Sequence, residues 1–275
     1  MLRILYASLY KLFRDITFKV TLIIGIVLAI LTNLLYFAIA KIGDIEFGSV
    51  LFSGETALIN SLSPTSNFGL TVPINLVVFT IGEFTYGTIR NKIIAGHKKS
   101  SIYLSLLAIG FVFTTVLMVA YCFLSWAFGS MLGGMHAEGV SGETIGFVIL
   151  YGFFAYVFIM TLSVFIASLI RSIGGSLPVI IIFLLFLGLV PTIINISAIF
   201  GSSNGNLIDY LPARIAMWID PLFMIGLYSS SVMSMLITDT DNVTEMIVAG
   251  IVVPVYWSVI FGVLGLKLFQ YRDIK

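Results

Sequence analysis

The chain has 275 residues, of which 59% are apolar and only 10% are charged, and its formal net charge is +1. An ordinary soluble domain has roughly 25% charged residues, so this chain has too few charges to cover a soluble core, and lipid must surround much of its surface. The nearly neutral charge argues against a nucleic-acid binder, because phosphate neutralisation needs concentrated positive charge. The single cysteine, Cys122, excludes a disulfide framework within one chain.

The first 17 residues interleave apolar and basic side chains and predict an amphipathic helix, or elbow, in the headgroup region of the membrane. The alternative is a solvated tail that leads into the first span. The apolar run that follows has about 23 residues, against the usual 7–15 of a signal peptide, and shows no convincing small-residue cleavage site. We therefore expect it to be retained.

Windows of about 20 apolar residues, the length that crosses a hydrocarbon layer of about 30 Å, predict six transmembrane helices. They cover residues 18–40, 68–82, 102–131, 145–170, 174–200 and 246–269. Helices are favoured because a lipid-exposed segment must satisfy its own backbone hydrogen bonds, and no regular alternation of apolar and polar residues indicates barrel strands. The predicted fold class is therefore an all-α integral membrane protein with a single transmembrane domain, residues 1–275.

The basic residues predict which side of the membrane faces the cytoplasm. Six spans place both termini, the loop 83–101 and Arg171 on one side, and that side carries twelve of the 14 lysines and arginines. These twelve are Arg3, Lys11, Arg14, Lys19, Arg90, Lys92, Lys98, Lys99, Arg171, Lys267, Arg272 and Lys275. Only Lys41 and Arg214 fall on the other side. By the positive-inside rule, both termini are cytoplasmic.

The external segments differ in length and in what they predict. Residues 41–67 and 201–245 form long connections, and 134–144 is short. Within 201–245 the stretch 208–235 looks amphipathic, so we predict one or two short helices there, partly re-entrant against the spans. Neither long segment is large enough to bury a core of its own, so we predict no soluble external domain.

No catalytic constellation is recognisable in the sequence. Gly82 and Gly87 have the first part of a phosphate-loop spacing, but a threonine and an isoleucine stand where the lysine and the following serine or threonine are required. The two histidines, His97 and His136, are predicted on opposite sides of the membrane, which disfavours a metal site. We predict no catalytic residue, no metal ligand and no cofactor bound by this chain.

The predicted spans contain essentially no ionisable residue, which disfavours an ion-coupled carrier and a voltage sensor. The polar residues at depth are neutral, and most residues of this kind bond to their own backbone or to a neighbouring helix. The minority alternative is that some of them line a translocation path. The candidates for that path are Asn33, Asn75, Thr80, Thr114 and Asn195.

The longest polar interruption on the predicted cytoplasmic side is the segment 82–101, GEFTYGTIRNKIIAGHKKSS. Gly87 allows a sharp bend, residues 88–95 predict a short helix with basic side chains, and Gly96 ends it. A transporter without ion coupling or its own nucleotide site must take energy from another chain, and a short helix on two spans suits a groove on a cytoplasmic protein. The alternative is that the basic residues only anchor the loop to anionic lipid. The residues alone leave these two interpretations even.

Residues 83–96, EFTYGTIRNKIIAG, resemble the signature after the second span of ABC-2 type permeases, the membrane subunits of ATP-binding-cassette exporters. In that family a glutamate, a Gly-Thr pair and a basic or polar helical turn form the coupling helix, which docks on the ATPase subunit. The matching residues here are Glu83, Phe84, Tyr86, Gly87, Thr88, Arg90 and Lys92. The resemblance extends to the N-terminal elbow, the six spans and the long connection before the last span. It departs where many members carry Ser-Arg, because this chain has Lys98-Lys99-Ser100.

The resemblance implies an ABC-2, type V-like exporter fold in a bacterial cell membrane. It implies two copies of an ABC ATPase subunit, which bind ATP and Mg, and a second permease chain, either identical or a paralogue. The chain is similar in size and apolarity to small permeases of bacteriocin or lantibiotic immunity, so the implied substrate is a peptide or other amphiphile and the implied role is export, immunity or resistance. The competing hypotheses are a non-transport immunity or sensor protein that binds a peptide through its external loops, and a secondary carrier.

Overall fold

The computed structural model describes residues 2–42, 53–63, 67–136, 142–201, 211–229 and 243–272, and every regular element in those ranges is an α-helix. In chain order the helices are α1 Leu2–Arg14, α2 Ile16–Ile42, α3 Gly54–Leu62, α4 Asn67–Thr85, α5 Thr88–Ile94, α6 Lys99–Gly133, α7 Gly142–Ile170, α8 Ile173–Gly201, α9 Leu211–Ile219, α10 Phe223–Ser229 and α11 Val243–Tyr271. The predicted all-α class is confirmed for the described part of the chain.

Five of these helices, α2, α6, α7, α8 and α11, are long and apolar enough to cross a membrane. The predicted span 68–82 corresponds to α4, which meets the same test when it is counted together with α5, from which it is bent by 51°. The 19 residues of α4 measure about 28 Å at about 1.5 Å per residue, close to the hydrocarbon thickness of about 30 Å. The chain is therefore a multi-pass helical membrane protein, and a sixth crossing by α4 stays a prediction.

Helix α7 lies at the centre of the bundle. It packs against α4, α6, α8 and α11, and its side chains Tyr151, Tyr156 and Ile159 are at most 1% exposed. Helix α8, by contrast, is the least buried of the five long helices, and its Ile182 and Phe186 are 66% and 67% exposed. Such outward apolar faces suit lipid, while the centre is packed like a soluble core.

The N-terminal segment is a docked helix and not a solvated tail. Leu12 of α1 is fully buried, and α1 packs against α2 and α6. Its opposite face exposes Tyr6, Tyr10 and Phe13, and tyrosine is a side chain that favours the boundary between membrane and water. Asp15 separates α1 from α2 and accepts the Thr17 N–H at 2.9 Å, which caps the first turn of α2.

Helix α3 in the segment 41–67 was not predicted from the apolar windows. Ser53 caps it, because the Thr56 N–H donates to Ser53 Oγ at 3.2 Å and the Ser53 N–H donates to Thr56 Oγ1 at 2.8 Å. Ile59 and Leu62 are 6% and 1% exposed and seat the helix against α6 and α7. The reciprocal cap between Ser53 and Thr56 is the local signal that the sequence carried for this helix.

The segment 201–245, which was predicted to be external and to form one or two short helices, contains α9 and α10. Its residues 202–210 and 230–242 lie outside the described ranges. Arg214 of α9 holds both carboxylate oxygens of Glu245 on α11, with Nη2 3.0 Å from Oε1 and 2.9 Å from Oε2. The Trp257 indole N–H of α11 donates to the Ile219 carbonyl at 2.9 Å. These contacts tie α9 to the last span.

Gly129 lets α6 approach α3 at backbone distance. A Cβ added at Gly129 would lie 2.6 Å from the Ala57 Cβ and 3.1 Å from the Ser53 carbonyl oxygen. Gly129→Ala is therefore expected to cost about 1–3 kcal/mol by overpacking, although alanine is the better helix former by about 1 kcal/mol. Thermal unfolding in detergent measures this cost. The control is Gly146→Ala on α7, where nothing lies within 4 Å of the added Cβ; an equal Tm for the two variants would contradict the close approach.

Candidate functional site

The polar loop after α4 forms a short projecting helix, α5, between two left-handed glycines. Gly87 precedes α5 with φ +67°, and Gly96 follows it with φ +83°, a region that glycine occupies without steric cost. The His97 N–H donates to the Lys92 carbonyl at 3.2 Å, and the Gly96 N–H donates to the Ile93 carbonyl at 2.9 Å. This is the Schellman pattern that ends a helix. The two glycines therefore fix where α5 begins and ends.

The centre of the site is Glu83, which lies in the last turn of α4 and is only 2% exposed. Its Oε1 accepts a hydrogen bond from the Lys11 ammonium of α1. Its Oε2 lies 3.0 Å from the Lys92 Nζ of α5, and the same ammonium donates to Ser8 Oγ of α1 at 3.2 Å. One carboxylate thus joins α1, α4 and α5; we call Glu83, Lys11, Lys92 and Ser8 the carboxylate cluster.

Burial makes the carboxylate cluster depend on both of its cations. A buried carboxylate is tolerated only when its charge is paired and its oxygens are hydrogen-bonded, and Glu83 meets both conditions. The Lys92 side chain is 16% exposed and the Lys11 side chain 43%, so Lys92 relies more on Glu83. Glu83 and Lys92, which we predicted as contacts for a partner, therefore face inward and hold α5 in place.

The outward face of α5 consists of Arg90, Asn91 and Ile94, and Tyr86 lies in the turn that precedes this helix. Tyr86 is 81% exposed and Ile94 is 74% exposed, whereas Ile89 on the inner side is 1% exposed. Arg90 and Asn91 are also exposed. Exposed tyrosine and isoleucine side chains beside an arginine are typical of a protein-binding surface. Tyr86 and Arg90 are thus exposed on the same loop, and Ile94 is a residue that the sequence analysis did not single out.

Phe84, Gly87 and Thr88 shape the loop and lie apart from its outward face. All three are half-buried. The Phe84 ring lies 6.1 Å from the Phe269 ring of α11, and the Arg171 guanidinium lies 5.2 Å from the centre of the Phe84 ring. Phe84 therefore connects the end of α4 to α11 and to the linker between α7 and α8.

Basic residues of several helices meet at this end of the bundle. Lys99, the first residue of α6, donates from Nζ to the carbonyl oxygens of Gln270 at 3.2 Å and Arg272 at 3.1 Å. Arg272 donates from Nη1 to the Leu169 carbonyl of α7. We call this the basic end of the bundle, defined by Lys11, Lys92, Lys99, Arg171 and Arg272. The opposite end carries the pair His136 and Glu55, with Nδ1 2.9 Å from Oε1.

Two of the five candidates for a translocation path, Asn33 and Asn75, bond within their own helices. Asn33 and Asn75 donate from Nδ2 to the carbonyl four residues earlier, at 2.6 Å and 2.8 Å. Thr80 and Thr114 are 2% and 4% exposed, and Thr114 lines a cavity of about 10 Å³, which has room for about one water at most. The Asn195 side chain lies outside the described part of the chain. The described contacts of Asn33 and Asn75 are those of polar residues that satisfy their own helix.

The helices and this site define the class of the protein as an all-helical, multi-pass membrane protein with a projecting loop helix held by a buried carboxylate. Comparison of the chain with protein-family models, with curated proteins and with solved structures finds no match. The resemblance of residues 83–96 to ABC-2 type permeases therefore stays a prediction, carried by those residues alone.

Proposed function

We propose that this chain is the membrane-spanning permease subunit of an ABC transporter of the ABC-2 type, and that it exports a peptide or other amphiphile. A separate partner chain hydrolyses the ATP. One observation carries the proposal: α5 is locked onto α1 and α4 through Glu83 while Tyr86 and Ile94 point outward. A contact surface that is fixed to two helices in this way binds a partner and also passes the partner's displacement on to those helices.

The carboxylate cluster gives this proposal its mechanical route. Two ATPase subunits close around ATP and Mg and displace α5. Because Glu83 pairs with Lys92 of α5 and with Lys11 of α1, α1 and α4 follow that displacement as one unit. Helix α1 packs against α2 and α6, and α4 packs against α7, so the movement reaches the centre of the bundle. A second permease chain, identical or a paralogue, supplies the other coupling helix.

In this proposal the basic end faces the cytoplasm of a bacterial cell, with both termini on that side. Positively charged loops are retained on the cytoplasmic side during insertion, and the ATPase partner is found there. The opposite end, with α3, α9 and α10, faces outward and is where a peptide would arrive or leave. The competing hypothesis, a non-transport immunity or sensor protein, needs the external end alone and no ATPase.

The test is whether an ATPase is retained through the outward face of α5. The tagged chain, expressed in its own host and purified in mild detergent, is expected to carry an ATPase subunit with a phosphate-loop motif. Ile94→Asp is expected to lower the retained ATPase about tenfold or more, because the loss of an interface anchor costs about 2 kcal/mol or more. The Tm of the variant chain should stay near that of the wild type, since Ile94 is 74% exposed.

The matched control is Met135→Asp, which places the same charge on a residue 51% exposed at the opposite end of the bundle. This variant should retain the ATPase at the wild-type level. If no ATPase is recovered, and Ile94→Asp leaves resistance intact, the permease proposal is excluded and the non-transport immunity or sensor protein takes its place.

A further inference from the structure

A pocket of about 310 Å³ lies at the basic end, between the last turns of α7 and α11. Phe165, Leu169 and Leu268 give it an apolar wall, and Arg171 and Arg272 also line it. Its volume falls at the lower end of the range of about 300–1,000 Å³ that is usual for ligand sites. The pocket is separate from the outward face of α5 and plays no part in the proposed docking of an ATPase.

The two arginines of this pocket oppose each other electrostatically. Burial lowers the pKa of Arg171, and the nearby charge of Arg272 lowers this pKa further. Arg171 Nε lies 3.4 Å from the Ser168 carbonyl oxygen, and Arg272 is fixed to the Leu169 carbonyl. Both guanidinium groups are thus held against the same turn of α7. An anion beside them would offset their repulsion, and the guanidinium fork matches the oxygens of a phosphate.

The backbone at Arg171 is also unusual. Its φ is +56°, and Arg171 is the only non-glycine residue with a positive φ in the described part of the chain. A left-handed conformation costs an L-residue roughly 1–2 kcal/mol, and strain of this kind tends to persist where it positions a functional group. Here it places the guanidinium of Arg171 against the pocket and over the Phe84 ring, 5.2 Å from its centre.

We propose that this pocket binds the phosphodiester group of an anionic glycerophospholipid from the surrounding membrane, with Arg171 and Arg272 as the phosphate ligands. Both arginines directly follow the last residue of a membrane-spanning helix, α7 or α11, which is the depth of the lipid headgroups. An acyl chain continues from the pocket along α11, where Leu264, Leu268 and Tyr271 are 45%, 45% and 87% exposed. Their spacing places these three side chains on one face of the helix.

The charge of the two arginines and the apolar wall of the pocket determine which molecule binds there. A headgroup that carries its own ammonium brings a cation towards two guanidinium groups, whereas a glycerol-type headgroup brings only the negative phosphodiester. Inorganic phosphate satisfies the arginines but leaves the apolar wall of the pocket uncovered, while an acyl chain covers it. The pocket therefore favours an anionic lipid over both a zwitterionic lipid and free phosphate.

The experiment is a titration of the purified full chain in detergent with phosphatidylglycerol, phosphatidylcholine or inorganic phosphate, with the Tm as readout. Phosphatidylglycerol is expected to raise the Tm, and the other two are not. Arg171→Asn, which suits a left-handed backbone, and Arg272→Gln are each expected to raise the half-maximal phosphatidylglycerol concentration about tenfold or more, as the loss of a charge-assisted hydrogen bond does. Equal stabilisation by phosphatidylcholine or by inorganic phosphate would overturn the proposal.

Two further variants keep the test decisive if an arginine variant folds poorly. Lys267→Gln removes a charge from an exposed position of α11 and should leave the titration unchanged; an equal weakening would indicate general surface charge. Leu268→Trp fills the pocket from its exposed side, keeps both arginines and should abolish the stabilisation, so wild-type behaviour of this variant also contradicts the proposal. The readout needs no ATPase, which separates its outcome from that of the proposed permease function.

Discussion

Glu83→Gln is expected to destabilise the chain by roughly 3 kcal/mol and to release α5 from α1 and α4. The substitution keeps the size of the side chain and removes the charge that pairs with Lys92 and Lys11. Loss of one partner of a buried ion pair typically costs about 3–5 kcal/mol. The Lys11 side chain is 43% exposed and is able to turn towards water, so we expect a loss at the low end of this range of free energies. Thermal unfolding of the purified chain measures the effect.

The control applies the same substitution to a more exposed ion pair. In the pair Arg214 and Glu245, the side chains are 55% and 26% exposed, so Glu245→Gln should cost no more than about 1 kcal/mol. The double variant with Glu83→Gln and Lys92→Gln should lose less than the sum of the two single variants, because each single variant leaves a charge without its partner. Strictly additive losses would show that Glu83 and Lys92 do not interact.

The inward position of Glu83 was beyond the reach of the sequence. Local pattern placed the bend and the helix of the loop correctly, since Gly87 and Gly96 have direct conformational consequences. The contact that turns Glu83 inward joins it to Lys11, 72 positions away, and no local rule pairs residues at that distance. The family signature therefore suggested a glutamate that touches a partner, whereas the packing of α1 makes it the anchor of α5.

Because local sequence pattern does not determine long-range packing, it also did not predict the exposure of Ile94 or the proposed lipid pocket. Periodicity over a helix of 7 residues is too short to decide which face is buried, so Ile94 looked like any apolar residue of the loop. The order of the spans was enough to predict that Arg171 and Arg272 lie on the same side of the membrane. Their approach depends on how α7 and α11 pack, which the sequence pattern does not determine. Long apolar runs, by contrast, predicted the five long helices directly. A segment that crosses the lipid must be about 20 residues long and must satisfy its own backbone hydrogen bonds, which makes it a helix.

Asp220 supplies the second large effect, a loss of stability as the pH rises. It lies between α9 and α10, outside the membrane-spanning helices, and is 6% exposed. Burial raises the pKa of its carboxyl group from 3.8 to about 7, and the hydrogen bond from the Leu222 N–H to Oδ1, 2.9 Å long, offsets part of that rise. Its other oxygen, Oδ2, is buried without a hydrogen-bond partner in the described ranges. Ionisation therefore creates a poorly solvated charge.

The sign of the pH dependence follows from proton binding. The folded chain holds the Asp220 proton more tightly than the unfolded chain, so the contribution of Asp220 to stability is fully present below about pH 4. It is lost as the pH rises to about 7 and stays lost above that value. The interval from 3.8 to about 7 corresponds to about 4 kcal/mol, at about 1.4 kcal/mol for each pH unit.

Asp220→Asn is expected to remove this pH dependence, because asparagine keeps an acceptor for the Leu222 N–H and does not ionise. At pH 4 the variant should unfold at nearly the wild-type Tm. At pH 8 it should unfold at a higher Tm, with the difference growing between pH 4 and 7 and then remaining constant. Subtracting the wild-type Tm from the variant Tm at each pH removes the contribution of other titrating groups.

The control is Asp15→Asn. Asp15 also accepts a hydrogen bond from the N–H two residues later, but its carboxylate is more exposed than that of Asp220. A difference that does not change with pH would contradict the buried ionisable state of Asp220.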